Sequence, residues 1–297
     1  MMKTKLQDPR KYYSTKEFIE QEQKAPALQK NMTPQPDCGE ETYVGNGELE
    51  NRSVLITGGD SGIGRAVAIA CAREGANVAI QFLPGEEPDA IEVRELIEKA
   101  GRKAVLLPYD LKDEMQAHAM VDMAVKGLGS LDTLILNAAQ QKATENIQDL
   151  SLAQIHDTFA VNFFSMIEAV KAAEKYLPAG ASIITTTSVQ SFNPTAYLID
   201  YAATKAAITN FTINLSQIMI DKGIRVNGVA PGPIWTPLQL DHGQPAGKIS
   251  KFGQSSIIGR AGQPAELASV YVFLASNNAS YVTGQIYGVT GGEAINP

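Results

Sequence analysis

The sequence of 297 residues has only two cysteines, Cys38 and Cys71. They cannot build a disulfide framework, and neither has the spacing of a zinc ligand, so we expect no metal site and a reducing compartment such as the cytoplasm. The chain also lacks a basic surplus: its net charge is −7, and no dense cluster of Lys and Arg offsets this locally. Nucleic acid is therefore not an expected partner.

Long apolar runs are missing as well. No run approaches the roughly 18 residues that a membrane-spanning helix needs. The charged N-terminus, MMKTKLQDPRKYYSTKEF, has no apolar core of a signal peptide. We therefore expect neither a membrane span nor secretion. With 44% hydrophobic residues and no internal repeat, the chain is long enough to form one main domain with a full core.

Residues 1–50 differ in composition from the rest of the chain. Gln, Lys and Glu alternate there, prolines interrupt any helix, and aliphatic runs are absent. We interpret residues 1–50 as an arm and residues 51–297 as the main domain. The arm is either a flexible tail or an ordered strap on the domain or on a neighbouring subunit. Its aromatic residues favour the strap, because unfolded segments have few of them; they are Tyr12, Tyr13, Phe18 and Tyr43.

From residue 53 onward, short aliphatic runs alternate with longer segments of helical period. The predicted strands lie in SVLIT, NVAIQF, KAVLLPYD, LDTLILNAA, SIITTTS, IRVNGVAPG and QIYGV, and residues 88–100 and 152–176 are two of the predicted helices. Continuous aliphatic strands are typical of a parallel sheet covered by helices on both faces. The sequence therefore predicts a doubly wound α/β fold, in which ligands bind at the carboxyl ends of the strands.

The stretch LITGGDSGIGRA, residues 55–66, predicts a strand, a glycine turn and a helix. Backbone N–H groups of such a turn, together with the helix N-terminus, can hold a pyrophosphate. No Gly-Lys-Ser/Thr follows, which excludes a P-loop. The alternative is a tight turn that binds no ligand.

The stretch YAATK places Tyr201 and Lys205 on one face of a predicted helix. An ammonium close to a phenol favours the phenolate, so we expect the pKa of Tyr201 to fall from about 10 towards neutrality. Tyr and Lys at this spacing also occur on solvated faces, but Ser188, at the end of a strand, could hold a carbonyl oxygen nearby. Asn162 lies among apolar residues, where a buried amide needs partners; by itself it could equally be a polar group in helix packing.

In this order and spacing the residues resemble the short-chain dehydrogenase/reductase family, over roughly residues 49–292. The motifs are Thr57-Gly58-x-x-x-Gly62-Ile63-Gly64, Asp110, Asn137-Ala138, Asn162, Ser188, Tyr201-x-x-x-Lys205 and Pro231-Gly232. The resemblance implies a single-domain Rossmann fold and an NAD(P)-dependent hydride transfer between nicotinamide and an alcohol or carbonyl substrate. It also implies the roles of four catalytic residues. Tyr201 is the general acid/base, and Ser188 polarises the substrate oxygen. Lys205 lowers the tyrosine pKa and binds the nicotinamide ribose, and Asn162 anchors the water of a proton relay.

The resemblance further implies the residues that contact the cofactor. These are Gly58, Asp60, Ser61, Gly62, Ile63, Gly64, Phe82, Asp110, Leu111, Asn137, Ala138, Ala139, Tyr201, Lys205, Pro231, Gly232, Ile234 and Thr236. One motif departs from the family: its Asn-Asn-Ala-Gly pattern reads Leu-Asn-Ala-Ala at residues 136–139, which alters the surroundings of the nicotinamide ribose. The chain most resembles a cytoplasmic bacterial subgroup with an N-terminal arm, including general-stress oxidoreductases and relatives of glucose and ribitol dehydrogenases. Family members are mostly tetramers, so a homotetramer is expected.

The charges near the glycine loop predict a preference for NAD, with NADP as the alternative. Family members that use NADP place a basic residue before the second loop glycine or after the second strand. Ser61 and, near the end of the second strand, Phe82 and Leu83 occupy these positions here. Asp60, Glu86 and Glu87 add negative charge nearby. A 2′-phosphate would meet repulsion there, whereas a ribose hydroxyl could donate to a carboxylate.

Residues 236–262 follow a strand end and contain many glycines and prolines, which predicts a mobile lid over the substrate or else an irregular surface loop. The candidate substrate contacts mix polar and aromatic character; they are Ser188, Gln190, Phe192, Asn193, Tyr197 and Trp235. A hydroxylated or sugar-like compound and a small ketone are both candidate substrates.

Two further hypotheses stay open. A catalytically silent dinucleotide-sensing or scaffold protein could keep this fold, although disuse would be expected to erode the catalytic set. Sugar-nucleotide epimerases and dehydratases share the Tyr-x-x-x-Lys pair but have another glycine spacing and a larger C-terminal domain. Since the arm holds none of the catalytic residues, we expect deletion of residues 1–45 to weaken assembly or thermal stability and to leave the dinucleotide site intact.

Overall fold

The computed structural model describes residues 6–295, and a parallel sheet of seven strands forms its centre. The strands are β1 (Ser53–Thr57), β2 (Asn77–Phe82), β3 (Ala104–Pro108), β4 (Thr133–Leu136), β5 (Ser182–Thr186), β6 (Arg225–Pro231) and β7 (Ile286–Val289). Each predicted aliphatic run contains one of them. The spatial order is β3-β2-β1-β4-β5-β6-β7. The order reverses between β1 and β4, and a crevice forms there at the carboxyl ends of the strands.

Helices cover both faces of the sheet, which confirms the doubly wound α/β fold. They are α1 (Gly62–Arg73), α2 (Glu87–Lys99), α3 (Met115–Leu128), α4 (Leu152–Phe159), α5 (Ser165–Glu174), α6 (Ile199–Met219) and α7 (Ala265–Ala275). Alternate residues of β1 point to opposite faces: Val54 and Ile56 join the core beneath α1, α2 and α7, whereas Leu55 joins the core beneath α3, α5 and α6. The aliphatic runs are therefore explained by burial on two faces.

The predicted single helix over residues 152–176 is wrong in one respect, because a π-helical segment, Ala160–Phe164, separates α4 from α5. Asn162 lies within this segment. Its side-chain amide bonds both the backbone N–H and the carbonyl of Gln140, in the loop after β4. Short π segments often occur at functional sites, because the extra residue redirects nearby side chains.

Residues 6–50 form an ordered strap on their own domain. The ring of Phe18 stacks on Trp235 with 3.9 Å between the ring centroids. The Glu20 carboxylate accepts a hydrogen bond from the backbone N–H of Ser250, and the Arg260 guanidinium donates to the carbonyl of Pro9. These partners lie more than 200 residues away in sequence, so the strap is held by contacts that local sequence patterns do not report.

Within residues 6–295, no helix combines the length and the apolar character that crossing a membrane requires. Cys38 and Cys71 are buried free thiols. In the same part of the chain, no three His, Cys, Asp or Glu side chains are grouped so that they could hold a metal ion.

Candidate active site

A cavity of about 760 Å³ runs along the carboxyl ends of the strands. All but two of the predicted cofactor contacts line it, namely Gly58, Asp60, Ser61, Gly62, Ile63, Asp110, Leu111, Asn137, Ala138, Ala139, Tyr201, Lys205, Pro231, Gly232, Ile234 and Thr236. The segments that follow β1, β3, β4 and β6, together with helix α6, bring these residues together. This is the position at which doubly wound sheets bind their ligands.

Phe82 and Gly64 are the two exceptions. Phe82 is buried in the core, and its neighbours Gln81 and Leu83 line the cavity instead, because successive side chains of a strand point to opposite faces. Gly64 does not line the cavity; a Cβ atom at this position would overlap the carbonyl oxygen of Gly58. Its role is the close packing of α1 against the glycine turn.

The glycine turn is tied to the end of β4. Thr57 Oγ1 accepts hydrogen bonds from the backbone N–H groups of Asn137 and Ala138, at 2.8 and 3.0 Å. The Asn137 amide in turn donates to the carbonyl of Gly58 at 3.1 Å. Gly62 begins α1 with a φ of 50°, and a Cβ there would come within 2.9 Å of Thr236. The turn therefore has an open, fixed backbone of the kind that receives phosphate.

Three of the four predicted catalytic residues meet in the same cavity. Ser188 follows β5, and its hydroxyl hydrogen-bonds the phenol of Tyr201, which lies in the first turn of α6. One turn further along, Lys205 Nζ donates to the carbonyl of Thr186 at 2.8 Å and lies 5.4 Å from the centroid of the Tyr201 ring. Tyr201 and Lys205 are both buried.

The fourth residue, Asn162, does not line this cavity. Its Oδ1 accepts from the backbone N–H of Gln140 at 2.7 Å, and its Nδ2 donates to the Gln140 carbonyl and to Thr204 Oγ1, both at 3.0 Å. Both amide hydrogens are thus used within the protein. The side chain joins the loop after β4 to α6, and Gln140 rather than Asn162 lines the cavity wall.

Burial shifts the pKa values of the tyrosine and the lysine in opposite directions. It raises the pKa of Tyr201 to about 12, although the hydrogen bond from Ser188 favours the phenolate. It lowers the pKa of Lys205 to about 7. Burial therefore opposes the expected fall of the tyrosine pKa towards neutrality, because removing both groups from water penalises each charged form.

Asp200 is a positioning residue that the sequence analysis missed. This buried carboxylate accepts from the backbone N–H of Tyr201 at 2.9 Å. Its other oxygen accepts from the hydroxyl of Thr158 at 2.8 Å and from the side-chain amide of Gln154 at 3.1 Å. It therefore fixes the start of α6 against α4 and, with it, the position of the tyrosine. The sequence feature that could have indicated this role is an Asp in the first turn of the helix that carries Tyr201.

Two predicted substrate contacts, Asn193 and Trp235, lie outside the cavity lining, while Ser188, Gln190 and Tyr197 line the cavity. Asn193 is exposed and donates to the carbonyl of Ala294. Trp235 is fully buried, and its Nε1 donates to the carbonyl of Pro34 in the arm. The arm therefore covers the indole, which the sequence pattern could not show. Phe192, the remaining candidate, also lies outside the cavity lining.

The arm contributes to the cavity itself. Ala25, Pro26 and Ala27 line it beside the glycine loop. Deleting residues 1–45 would therefore remove part of the cavity wall, which argues against the expectation that the deletion leaves the dinucleotide site intact.

Comparison with known proteins identifies the family. A family model described as enoyl-(acyl carrier protein) reductase matches residues 58–293. The chain belongs to the short-chain dehydrogenase/reductase family. This short-chain dehydrogenase/reductase is 60% identical over 295 residues to the uncharacterized oxidoreductase YhxD of Bacillus subtilis (strain 168), covering 98% of this chain and 99% of that one.

Two further comparisons connect this oxidoreductase to named activities and ligands. The glucose and ribitol dehydrogenase of Daucus carota is 40% identical over 286 residues, covering 94% of this chain and 98% of that one. A short-chain dehydrogenase from Burkholderia cenocepacia J2315, solved in complex with NADP, is 31% identical with a TM-score of 0.77. The match covers 82% of this chain and 98% of that chain.

One part of the cavity wall of this short-chain dehydrogenase/reductase is rich in glutamine. Gln244 Nε2 donates to Gln239 Oε1 at 2.8 Å, and Tyr197 donates its hydroxyl to Gln244 Oε1 at 3.1 Å. Gln141 Nε2 donates to the carbonyl of Gly243 at 2.6 Å. Residues 239, 243 and 244 belong to the predicted lid, which the structure describes as turns and one short 3₁₀ segment, Pro237–Gln239. The sequence analysis missed this network.

The other end of the cavity is acidic. Asp60, Glu86 and Asp241 all line it. Among the described residues, Asp60 Oδ2 is buried without a hydrogen-bond partner. Burial raises the pKa of Asp60, and burial together with the negative charge of Asp60 raises that of Glu86. This end therefore has a carboxyl oxygen ready to accept a hydrogen bond.

Proposed function

We propose that the chain is an NAD(P)-dependent oxidoreductase that transfers a hydride between nicotinamide and an alcohol or carbonyl carbon, with Tyr201 as general acid/base. The observation that carries the proposal is one continuous cavity, lined at one end by the glycine turn and at the other by Ser188, Tyr201 and Lys205. The NADP complex of the Burkholderia cenocepacia neighbour and the name of the carrot relative support it.

The residues present fit a dinucleotide. Gly62, with a left-handed backbone, and Ile63 line the cavity at the start of α1, and a helix N-terminus in this position can hold a pyrophosphate. The unpaired Asp60 carboxyl lies where an adenosine ribose would need an acceptor. Lys205 would contact the nicotinamide ribose. When bound, the nicotinamide supplies the hydride donor or acceptor.

The chain's own residues would position the substrate and move the proton. In carbonyl reduction, the hydroxyl of Ser188 holds the carbonyl oxygen, and the phenol of Tyr201 donates its proton to the same oxygen. Burial raises the pKa of Tyr201, so the phenol keeps this proton at neutral pH until the carbonyl oxygen accepts it. Lys205 is held on the Thr186 carbonyl, from which it orients the tyrosine ring and the ribose.

We further propose that the substrate is a hydroxylated aldehyde, sugar or sugar alcohol rather than a small apolar ketone. The glutamine network of residues 141, 239 and 244 offers amide donors and acceptors close to Gln190 and Tyr197. Such groups are costly to leave unpaired, so an apolar substrate would be disfavoured there. The glucose and ribitol dehydrogenase of Daucus carota agrees with this substrate class.

The test is a panel of sugars, sugar alcohols, aldehydes and ketones, followed by nicotinamide absorbance with both cofactors. On a verified substrate, Tyr201→Phe should lower kcat by at least about a thousandfold while the dinucleotide still binds, because only the proton donor is removed. Tyr197→Phe is the matched control, since Tyr197 shares the cavity but lies on the glutamine wall; it should change KM more than kcat.

Retention of most activity by Tyr201→Phe would contradict the assigned proton donor. A wild type that binds dinucleotide but turns over no member of a broad panel would favour a catalytically silent sensor or scaffold instead.

We also propose a cytoplasmic homotetramer. Two buried free thiols agree with a reducing compartment. Apolar side chains such as Phe164 and Ile213, each 40% exposed near α5 and on α6, agree with helices that pack between subunits.

A further inference from the structure

The arm residues at the cavity lie beside the elements that hold the adenosine half of a dinucleotide in this fold. The ring of Pro26 lies next to Gly85, in the loop after β2, where a Cβ atom would be 3.1 Å from the proline. Leu83 and Glu86 of the same loop line the cavity with Pro26. In Rossmann folds the end of the second strand faces the adenosine ribose. The arm therefore covers this end and not the catalytic end.

Gln29 anchors the arm directly to the glycine turn. This side chain is buried, and its Oε1 accepts from the backbone N–H of Gly62 at 2.7 Å. Its Nε2 donates to Cys38 Sγ at 3.4 Å. The Asp89 carboxylate, in the first turn of α2, accepts from the backbone N–H groups of Gln29 and Lys30. Hydrogen bonds thus hold Gln29 at its backbone N–H, at Oε1 and at Nε2.

The chemistry of this contact suits an anion site. Gly62 is the first residue of α1, and its N–H has no partner within the helix. An amide oxygen satisfies that N–H without bringing negative charge to the positive end of the helix, where a pyrophosphate would bind. A carboxylate at the same place would compete with the phosphate.

We propose that residues 25–27 of the arm form the outer wall of the adenosine-binding end of the cofactor site, and that Gln29, just behind this wall, positions the glycine turn for the pyrophosphate. The inference rests on the proposed function, because it assumes that a dinucleotide occupies the cavity. It makes the arm part of the cofactor site, a role that its position before the first strand does not suggest.

Calorimetric titration of the full-length protein with NAD, NADP, ADP and nicotinamide mononucleotide tests the proposal. Gln29→Ala leaves the Gly62 N–H without its partner and should weaken ADP binding about tenfold. Gln29→Glu should weaken it further, and this extra loss should shrink at high ionic strength, since it comes from charge. Neither variant should change the affinity for nicotinamide mononucleotide by more than about twofold.

Gln263→Ala is the matched control. Gln263 Oε1 accepts from the backbone N–H of Asp37 at 2.9 Å, so it also holds the arm through an amide oxygen, but it does not line the cavity. This variant should keep the ADP affinity of the wild type. A folded Gln29→Ala protein with wild-type ADP affinity would overturn the proposal.

If Gln29→Ala does not fold, Ala25→Arg decides, because Ala25 is exposed and lines the cavity. A cation added there should raise the affinity for NADP relative to NAD, and an unchanged ratio would overturn the proposal. A wild type that binds neither ADP nor a dinucleotide would instead refute the proposed function itself.

Discussion

Lys205 has an environment that stabilises its neutral form. Its ammonium would be buried with the carbonyl of Thr186 as hydrogen-bond partner, and burial lowers its pKa to about 7 from an ordinary value of 10.5. Between these two values the unfolded chain binds a proton that the folded chain does not. The free energy of unfolding therefore rises with pH across this window, and below pH 7 the cost of the buried charge is fully present.

Lys205→Met should stabilise the free protein most below pH 7, and the gain should vanish above about pH 10.5, because methionine carries no charge to bury. Urea unfolding of both proteins at a series of pH values measures this difference in the free energy of unfolding. Lys99→Met, which changes an exposed lysine in the last turn of α2, is the control and should show no such trend. A gain for Lys205→Met that is independent of pH would contradict the argument.

Asp60 should govern the choice between NAD and NADP. Its buried carboxyl and Glu86 would face a 2′-phosphate, so we expect NAD to bind more tightly than NADP, unlike the Burkholderia cenocepacia neighbour in its NADP complex. Both carboxyls have raised pKa values and ionise as the pH rises. The preference for NAD should therefore grow with increasing pH.

Calorimetry with both cofactors at several pH values tests this expectation. Asp60→Asn should reduce the ratio of NAD affinity to NADP affinity about tenfold at high pH, and this ratio should then depend less on pH. The 2′-phosphate ionises in both proteins, so the difference between wild type and variant isolates the carboxyl. Equal or tighter NADP binding by the wild type would overturn the assignment.

At the scale of elements, the strap is held mainly by side chains. The stacking of Phe18 on Trp235 joins it to a small apolar cluster that includes Met32, Leu240 and Ile249. Phe18→Ala should lower the free energy of unfolding by about 2 kcal/mol, because it removes this packing. Ile19→Ala, at the next position but 64% exposed, should change it by less than about 0.5 kcal/mol. Equal losses in urea unfolding would show that the stacking contributes nothing specific.

The strands and the pairing of Tyr201 with Lys205 in one cavity were predictable because local patterns determine them. Burial on two faces produces aliphatic runs. The glycine turn and the YAATK motif are each complete within a few consecutive residues. Trp235, Gln29 and the glutamine network were not predictable, because their positions depend on partners far away in sequence. Trp235 is aromatic and follows a strand, as a pocket residue would, yet the arm covers it. The π-helical segment was missed because Asn162 is held by a loop and not by its own helix.

For the whole molecule, we expect self-association through α5 and α6. Replacing Phe164 and Ile213 together by lysine should lower the mass of the assembly, because the charges would oppose burial of these apolar positions. Ile91→Lys on α2 has nearly the same starting exposure, 39%, on the other face of the sheet and should leave the mass unchanged. Light scattering measures both. An unchanged mass of the double variant would contradict the predicted interface.

The contacts of the strap also determine when each part of the arm can dock on the domain during synthesis. Residues 6–50 are synthesised first, yet Asp37 is held by Gln263, 226 residues later, and Pro9 by Arg260, 251 residues later. The arm cannot complete these contacts until the chain beyond β6 has emerged. The wall at Ala25–Ala27 differs, because Pro26 lies beside Gly85 and Gln29 accepts from the N–H of Gly62, and both partners emerge early. The segment at the cavity can therefore dock while the first strands form, whereas Pro9 and Asp37, on either side of it, wait for the last part of the chain.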